Sequence, residues 1–303
     1  MVSLNSYSDM HIVVSCSAEY LKYSPVLFKS VEKNHPGFEL WFHVFHCLPD
    51  DVIASHRMRL ERACCFSEKV SILFHSVSET DIKDIDSSRG WHPSLWFRWK
   101  ALDTLRGLTD RFLVLGIDTF VKKNISEFYH QDLEGFIFCA SPDAWVSTSD
   151  LSDWPPRVEL NNYKVSPSNY INCDVVLVNL LAIGAPSFSF YINSYLKINT
   201  LCLDQDVINY CFASSLKLAP SEFNYFPNII ADTQKDIFGY KNCSIVHFAG
   251  GPKPWNVCSI RSYFYVGHCD WWSCAHELGI RRRYFYLKAV VYRLVAKIRA
   301  LSF

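Results

Sequence analysis

Residues 111–121 read RFLVLGIDTFV. The apolar run from Phe112 to Leu115, followed by Ile117, is typical of a buried strand in a mostly parallel sheet. Asp118 stands where that strand would emerge from the sheet. Because open α/β sheets bind ligands beyond the carboxyl ends of their strands, this position predicts a functional carboxylate, with an ordinary turn or cap residue as the alternative.

The segments around this strand alternate between strand and helix patterns. Strands are predicted at residues 11–15, 39–45, 70–75, 136–140 and 175–179. Helices are predicted at residues 20–34, 50–65, 94–105 and 207–213, and a long loop at 147–168. This order is typical of a nucleotide-binding α/β unit in which helices cover a parallel sheet.

Composition limits the class of protein. The chain has 303 residues, half of them hydrophobic, which is enough for one large domain or two small ones. Twelve cysteines are too sparse for a disulfide framework, and we expect no secretory signal, so a reducing cytosolic setting is favoured. Residues 268–276 read HCDWWSCAH and could bind zinc, but the spacing fits no standard site and ordinary buried side chains are favoured.

Charge is unevenly distributed along the chain. The net charge is zero, yet residues 281–303 carry seven basic residues and no acidic one, so the remainder has 23 basic and 30 acidic residues. The apolar residues of this tail follow a helical spacing, at Leu287, Val291, Leu294, Ile298 and Leu301. We expect a basic amphipathic helix lying on an anionic membrane surface, with a helix docked on the main domain as the alternative, and no nucleic-acid partner.

Four further segments carry motifs. They read SLWFRWKALDTL at 94–105, YINCDVVLVNL at 170–180, LDQDVIN at 203–209 and IVHFAGGPKPW at 245–255. Together with residues 111–121, and in this order, they resemble the retaining family 8 glycosyltransferases, in particular bacterial galactosyl- and glucosyltransferases of lipopolysaccharide and lipooligosaccharide synthesis. The resemblance covers roughly residues 10–260. It implies an α/β fold of the GT-A type, with a central mixed, mostly parallel sheet flanked by helices over residues 1–280.

The chain departs from the pattern of this family at one position. The family ends the strand at 111–121 in Asp-x-Asp, whereas this chain has Gly116-Ile117-Asp118. The resemblance implies Mn²⁺ (or Mg²⁺) held by Asp118 and His247, weakened or lost because Gly116 supplies no carboxylate. Asp174, where the family usually has a small residue, is a candidate replacement ligand.

The remaining site residues are implied by the same resemblance. Tyr20 would stack on the nucleotide base, Arg98 and Lys253 would contact the donor diphosphate, and Gly250 would let the backbone approach a phosphate. The residues expected at the sugar end of the site are Asp143, Asn172, Asp204 and Gln205. Gln205 would lie beside the anomeric carbon and Asp204 on donor hydroxyls, although Asp204 is also a good helix N-cap. Tyr20 and Arg98 have ordinary structural alternatives, as a packed helix-start residue and a solvated helix arginine.

The function implied is transfer of galactose or glucose from a UDP-sugar to a hydroxyl of a glycan or lipid-linked glycan, with retention of configuration. Such a role belongs to cell-surface polysaccharide or lipopolysaccharide synthesis on the cytoplasmic face of the membrane. Gly116 leaves two alternatives open. One is a glycosyltransferase-like protein that binds nucleotide or glycan without turnover, and the other is a transferase in which basic side chains replace the metal.

Overall fold

The computed structural model of the chain describes residues 8–63, 66–81, 92–148, 166–196, 202–227, 237–250, 253–256 and 267–280. The predicted tail at 281–303 lies outside these residues, as does most of the predicted loop at 147–168. Within the described residues, the strands are β1 (Asp9–Ser15), β2 (Glu39–His46), β3 (Val70–Ser76), β4 (Arg111–Leu115), β5 (Thr119–Val121), β6 (Phe138–Pro142), β7 (Ile171–Asn179), β8 (Leu216–Leu218) and β9 (Ile245–His247).

Seven of these strands form one mixed sheet. Its order is β3-β2-β1-β4-β7-β6-β8, and β5 pairs with β9 in a separate antiparallel ribbon. The pairs from β3 through β4, and the pair β6–β8, are parallel, whereas β7 is antiparallel to both β4 and β6. The predicted sheet, mixed and mostly parallel, is therefore confirmed.

Helices cover both faces of this sheet, and each face has its own apolar core. The α-helices in the described residues are α1 (Ala18–Leu21), α2 (Ser24–Asn34), α3 (Asp50–Ala63), α4 (Ser94–Phe97), α5 (Ala101–Thr104), α6 (Ser126–His130), α7 (Ala144–Thr148), α8 (Phe188–Tyr195), α9 (Asp204–Cys211), α10 (Ile237–Asn242) and α11 (His268–Glu277). A 3₁₀ turn at Arg98–Lys100 joins α4 to α5. No helix among the described residues is both long and apolar enough to cross a membrane.

Several predicted boundaries were wrong for identifiable reasons. The helix predicted at 20–34 divides into α1 and α2, because Pro25 lacks a backbone N–H donor and suits the first turn of a new helix. The segment at 111–121 is not one strand but two, β4 and β5, with Asp118 in the turn between them. The strand predicted at 175–179 begins at Ile171, so Asn172 and Asp174 both lie on β7.

Candidate functional site

Asp118 lies in a tight turn between β4 and β5. The turn closes where the Thr119 amide and hydroxyl donate hydrogen bonds to the Gly116 carbonyl, at 3.0 and 2.7 Å. Because β9 pairs with β5, His247 lies opposite Thr119, and the Phe248 amide donates to the Asp118 carbonyl at 2.9 Å. Strand pairing therefore brings His247 to Asp118 from more than a hundred residues away in the sequence.

Three potential metal ligands converge at this turn. Nε2 of His247 lies 3.7 Å from Oδ2 of Asp118 and 3.5 Å from Oδ2 of Asp174. One ligand atom from each residue falls within 4.8 Å of the other two. The His247 side chain is 1% exposed, whereas that of Asp174 is 28% exposed, so the cluster opens to solvent on its carboxylate side. Two carboxylates and an imidazole are ligands that Mn²⁺ accepts, and Mg²⁺ also binds through carboxylate oxygens.

Lys253 supplies a positive charge at the edge of this cluster. Its ammonium donates hydrogen bonds to Oδ2 of Asp118 and, at 2.7 Å, to the Phe248 carbonyl. Burial opposes ionisation of Asp118, but Lys253 and His247 hold the pKa of its carboxyl well below the usual range. Burial likewise opposes the charge on Lys253, yet Asp118 raises the pKa of the lysine above its ordinary value. Both side chains are therefore ionised at neutral pH.

Arg98 lies behind Asp174 and is 3% exposed. Its Nη1 donates to Oδ1 of Asp174 at 2.5 Å and to the Cys173 carbonyl at 3.1 Å. Its Nε donates to the Leu95 carbonyl at 2.9 Å and lies 3.2 Å from Oδ2 of Asp204. The guanidinium charge is thus shared between two carboxylates, and a direct contact of Arg98 with a donor diphosphate stays a prediction.

Asp204 is a buried partner of this arginine. Its Oδ2 also accepts a hydrogen bond from Nε1 of Trp99 at 2.8 Å. Burial raises the pKa of Asp204 to about 6, although Arg98 and Trp99 oppose that rise. The preceding residue, Leu203, has φ +50°, an uncommon conformation for a residue with a side chain. Backbone strain is therefore present where the chain enters α9.

A chain of side-chain amides favours one tautomer of the His247 ring. The Asp174 amide donates to Oδ1 of Asn172 at 2.9 Å, which fixes the orientation of that side chain. Nδ2 of Asn224 donates to the same oxygen at 3.1 Å, so Oδ1 of Asn224 faces Nδ1 of His247 at 3.0 Å. This pattern assigns the proton of neutral His247 to Nδ1. The unprotonated Nε2 then faces Asp118 and Asp174, an arrangement that suits a bound cation.

Three of the four residues predicted for the sugar end of the site, Asp143, Asn172 and Gln205, meet in a second network, whereas the Asp204 side chain contacts Arg98 and Trp99. Oε1 of Gln205 accepts hydrogen bonds from Nδ2 of Asn172 at 3.0 Å and from the Cys173 amide at 3.2 Å. Oδ2 of Asp143 accepts from the side-chain amides of Gln205 and Asn172, both at 3.1 Å. The other oxygen of Asp143 accepts from two backbone amides in the first turn of α7, at 2.9 and 3.0 Å. Asn172 and Asp174, two residues apart on β7, connect this network to the acidic cluster.

These motifs have counterparts in known proteins. The sequence profile described as "Glycosyl transferase family 8" matches residues 11–258. The chain belongs to glycosyl transferase family 8.

Two relatives from Escherichia coli (strain K12) align with much of the chain. Lipopolysaccharide 1,2-glucosyltransferase is 22% identical over 273 residues, which cover 86% of this chain and 77% of the relative. Lipopolysaccharide glucosyltransferase WaaO is 21% identical over 235 residues, covering 75% and 67%. Among solved structures, the galactosyltransferase LgtC in complex with donor and acceptor sugar analogues superposes with a TM-score of 0.67 at 23% identity, covering 88% of this chain and 95% of LgtC. The last likeness confirms the GT-A fold.

Two other residues that the family resemblance singles out lie near Lys253. Tyr20, in α1, is half-buried and meets Trp255 edge-on, with 5.6 Å between ring centroids. Burial raises the pKa of Tyr20, while the charge of Lys253 acts in the opposite direction. Gly250 is exposed and has φ +67°, a conformation that favours glycine. The binding roles predicted for Tyr20 and Gly250 stay predictions.

Sequence reasoning missed Asn224 as a functional residue. No motif marks its surroundings, which read SEFNY at 221–225. Its position is set by backbone pairing: the Tyr225 amide donates to the Ile245 carbonyl at 2.9 Å, and the His247 amide donates to the Tyr225 carbonyl at 2.8 Å. Such pairing between an irregular segment and β9 leaves no periodic signal in the sequence.

Proposed function

We propose that this chain transfers a hexose from a UDP-sugar to a hydroxyl of a lipid-linked glycan, with retention of anomeric configuration. The observation that carries the proposal is the convergence of Asp118, Asp174 and His247 beside Lys253 at the carboxyl end of β4. Such an edge is where α/β folds bind nucleotides. The names of the two Escherichia coli relatives support a lipopolysaccharide acceptor.

The residues of the cluster fit a divalent metal. With Oδ1 of Asn224 accepting a hydrogen bond from Nδ1–H of His247, the Nε2 atom of the neutral ring is unprotonated. Two carboxylate oxygens lie 3.5 and 3.7 Å from Nε2. Asp118, Asp174 and His247 would hold the ion, with diphosphate and water completing its coordination. When bound, Mn²⁺ or Mg²⁺ would neutralise charge that develops on the leaving diphosphate.

Lys253 is the cation best placed to contact the diphosphate. Its side chain is 12% exposed and contacts Asp118, and its charge also acts on Tyr20. An ammonium is a compact point charge with three donors, which suits a phosphate oxygen. Arg98 has a different role in this proposal, because its contacts are with Asp174 and Asp204. It holds the ligand Asp174 in place.

The transfer step exchanges one bond at the anomeric carbon for another. The bond to the leaving phosphate oxygen breaks, a bond to the acceptor hydroxyl oxygen forms on the same face, and the phosphate oxygen takes the hydroxyl proton. The anomeric carbon becomes cationic during this exchange, so a nearby carbonyl dipole would stabilise it. Gln205 is our candidate, because Asn172 and the Cys173 amide hold its Oε1 on the β7 side of the site. Asp143, Asn172 and Asp204 would orient the donor sugar.

Turnover with UDP-galactose and UDP-glucose tests this function. The assay measures UDP release with Mn²⁺ and a lipopolysaccharide core acceptor, and proton NMR of the product reports the anomeric configuration. We expect UDP release that depends on acceptor and a product with the α configuration of the donor. Binding of UDP without any release would favour the non-catalytic alternative, and a β product would contradict retention.

We also propose that residues 281–303 attach the enzyme to the cytoplasmic membrane surface. The segment has seven basic residues, no acidic ones and a helical apolar stripe. Full-length protein should sediment with vesicles that contain anionic phospholipid, less so as salt is raised, and protein truncated after Ile280 should not. Equal sedimentation of both forms would show that the tail is not the attachment.

A further inference from the structure

Gly116 and Asp174 compete for the same space. The two residues face each other across β4 and β7, and the Gly116 amide donates to the Asp174 carbonyl at 2.8 Å. A Cβ built on Gly116 would lie 3.0 Å from Cβ of Asp174, 3.1 Å from its Oδ1 and 2.9 Å from Oδ1 of Asp118. Real Cβ atoms essentially never come as close as the 2.9 Å contact with Asp118, and the contacts of 3.0 and 3.1 Å with Asp174 are tighter than nine in ten real Cβ contacts. The side chains of Asp118 and Asp174 therefore crowd the space into which a side chain at position 116 would project.

We propose that Asp174 is a relocated metal ligand: β7 supplies the carboxylate that the family resemblance implies at position 116, directly after β4. The inference rests on the proposed function for the identity of the ligand, a divalent metal bound together with UDP. It makes positions 116 and 174 a coupled pair, in which one position carries the carboxylate and the other must be small.

The geometry of Asp174 fits this role. Neighbouring residues on antiparallel strands have Cβ atoms about 5 Å apart, so a carboxylate can move from one strand to the next and keep its oxygens in the same region. Arg98 binds Oδ1 of Asp174 at 2.5 Å, while Oδ2 is the oxygen that lies 3.5 Å from Nε2 of His247. One oxygen is thus anchored by a buried cation, and the other is directed to the metal, as expected of a ligand oriented by its outer partners.

The coupling also explains why position 116 is a glycine. No left-handed φ is recorded for Gly116, in contrast to seven other glycines of the described chain, so its backbone would accept other residues. Crowding by Asp118 and Asp174 is the constraint. A third carboxylate at 116 would add a like charge beside these two as well as a steric clash.

The test is a reciprocal exchange read out as metal affinity. Mn²⁺ binding in the presence of UDP is measured by the electron paramagnetic resonance signal of free Mn²⁺ for the wild type, Asp174→Asn, Asp174→Gly, and the double variant Gly116→Asp/Asp174→Gly. We expect Asp174→Asn and Asp174→Gly to weaken Mn²⁺ binding by about 10- to 100-fold or more, since loss of an outer partner alone costs that much. The double variant should recover most of this loss.

Asp81→Asn is the matched control, because the Asp81 side chain is 29% exposed and pairs with Lys100 at 3.0 Å, much as Asp174 pairs with Arg98. It should bind Mn²⁺ as the wild type does. Wild-type affinity in Asp174→Asn would overturn the proposal, and so would a double variant that folds but binds no better than Asp174→Gly. If thermal melting shows that the double variant does not fold, Asp174→Asn alone decides.

UDP release is measured separately on the same proteins. If the variants show the expected pattern of Mn²⁺ affinity but the wild type releases no UDP, the result would support Asp174 as a relocated ligand and contradict the proposed transferase function. If the wild type turns over but Asp174→Asn binds Mn²⁺ as tightly as the wild type does, the transferase function would be supported and the relocated ligand contradicted.

Discussion

His43 and His247 are equally buried histidines in two regions of the molecule, and their partners differ. His43 is 2% exposed, and both of its ring nitrogens meet other imidazoles: Nε2 lies 3.0 Å from Nδ1 of His11, and Nδ1 lies 3.0 Å from Nε2 of His75. His247 is 1% exposed, with Nδ1 bonded to an amide and Nε2 facing two carboxylates. The partners of each imidazole, rather than its burial, decide whether a lone pair is left for a ligand.

The first region is a row of three histidines that crosses β1, β2 and β3. The ring centroids are 5.3 Å apart for His11 and His43 and 5.2 Å apart for His43 and His75, with interplanar angles of 17° and 25°. Near-coplanar rings at this separation, with nitrogens 3.0 Å apart, lie edge to edge. Each N–H···N hydrogen bond uses one proton and one lone pair, so the two half-buried outer rings satisfy both ring nitrogens of buried His43.

The largest expected effect comes from removing a proposed metal ligand from the second region, the cluster around His247. Asp118→Asn keeps the shape of the side chain but removes the charge that Lys253 and His247 both contact. We expect UDP release to fall about 10²- to 10³-fold, the loss typical when one preorganised electrostatic group is removed, and its dependence on Mn²⁺ to disappear. Steady-state rates across a Mn²⁺ titration measure both effects. A variant that keeps the wild-type Mn²⁺ dependence would show that Asp118 is not a ligand.

The next change acts on His247 through its amide partner. Asn224→Leu removes the acceptor that holds the proton on Nδ1 of His247, so the ring can present a protonated Nε2 to the carboxylates. We expect Mn²⁺ affinity to fall about 10- to 100-fold while the variant still folds. The electron paramagnetic resonance titration described above measures the loss, and thermal melting checks the fold.

Asn34→Leu is the control for this variant. Asn34 is also an asparagine that links separate elements, donating to the carbonyls of Ser30 and Val121 at 2.8 and 3.0 Å. The Asn34→Leu substitution should lower the stability of the protein without changing its Mn²⁺ affinity. Equal affinities in the wild type and Asn224→Leu would mean that Asn224 does not position His247.

More of the fold than of the candidate site could be predicted from the sequence. Apolar strands such as Phe112–Leu115 are marked by a continuous apolar run in the sequence, and the motif at 245–255 marks His247. The antiparallel direction of β7 and the separate ribbon of β5 and β9 could not be predicted, because strand direction and pairing depend on connections that leave no local pattern.

Within the site, residue types were predictable but their partners were not. The absence of an Asp at 116 was visible in the sequence, and Asp174 was a candidate replacement. Whether the Asp174 side chain lies beside position 116 depends on register, since Leu115 pairs with Val175 in antiparallel β4 and β7. A shift of one residue would turn the Asp174 side chain to the other face of the sheet. Burial of Arg98 between Asp174 and Asp204 was equally invisible, because it depends on how the 3₁₀ turn at Arg98–Lys100 meets β7 and α9.

The smallest predicted effect concerns the first region and its response to pH. Burial lowers the pKa of His43 to about 3, with His11 and His75 contributing, and burial also lowers the pKa values of His11 and His75. An unfolded histidine titrates near 6.5, so below that pH the unfolded chain binds more protons than the folded one. Stability is therefore fully present above pH 6.5 and falls as the pH drops toward the folded pKa values. Through His43 alone, the free energy of unfolding should fall by about 2 kcal/mol between pH 7.5 and pH 5.

Urea denaturation of the wild type and His43→Leu at these two pH values measures this contribution. The substitution leaves Nδ1 of His11 and Nε2 of His75 without their partner, so we expect lower stability at both pH values. The loss of unfolding free energy on acidification should nevertheless be about 2 kcal/mol smaller in the variant than in the wild type. Because His247 is unchanged, Mn²⁺ affinity at pH 7.5 should stay at the wild-type value. Parallel pH profiles for the two proteins would contradict the assignment of a neutral, self-satisfied histidine row.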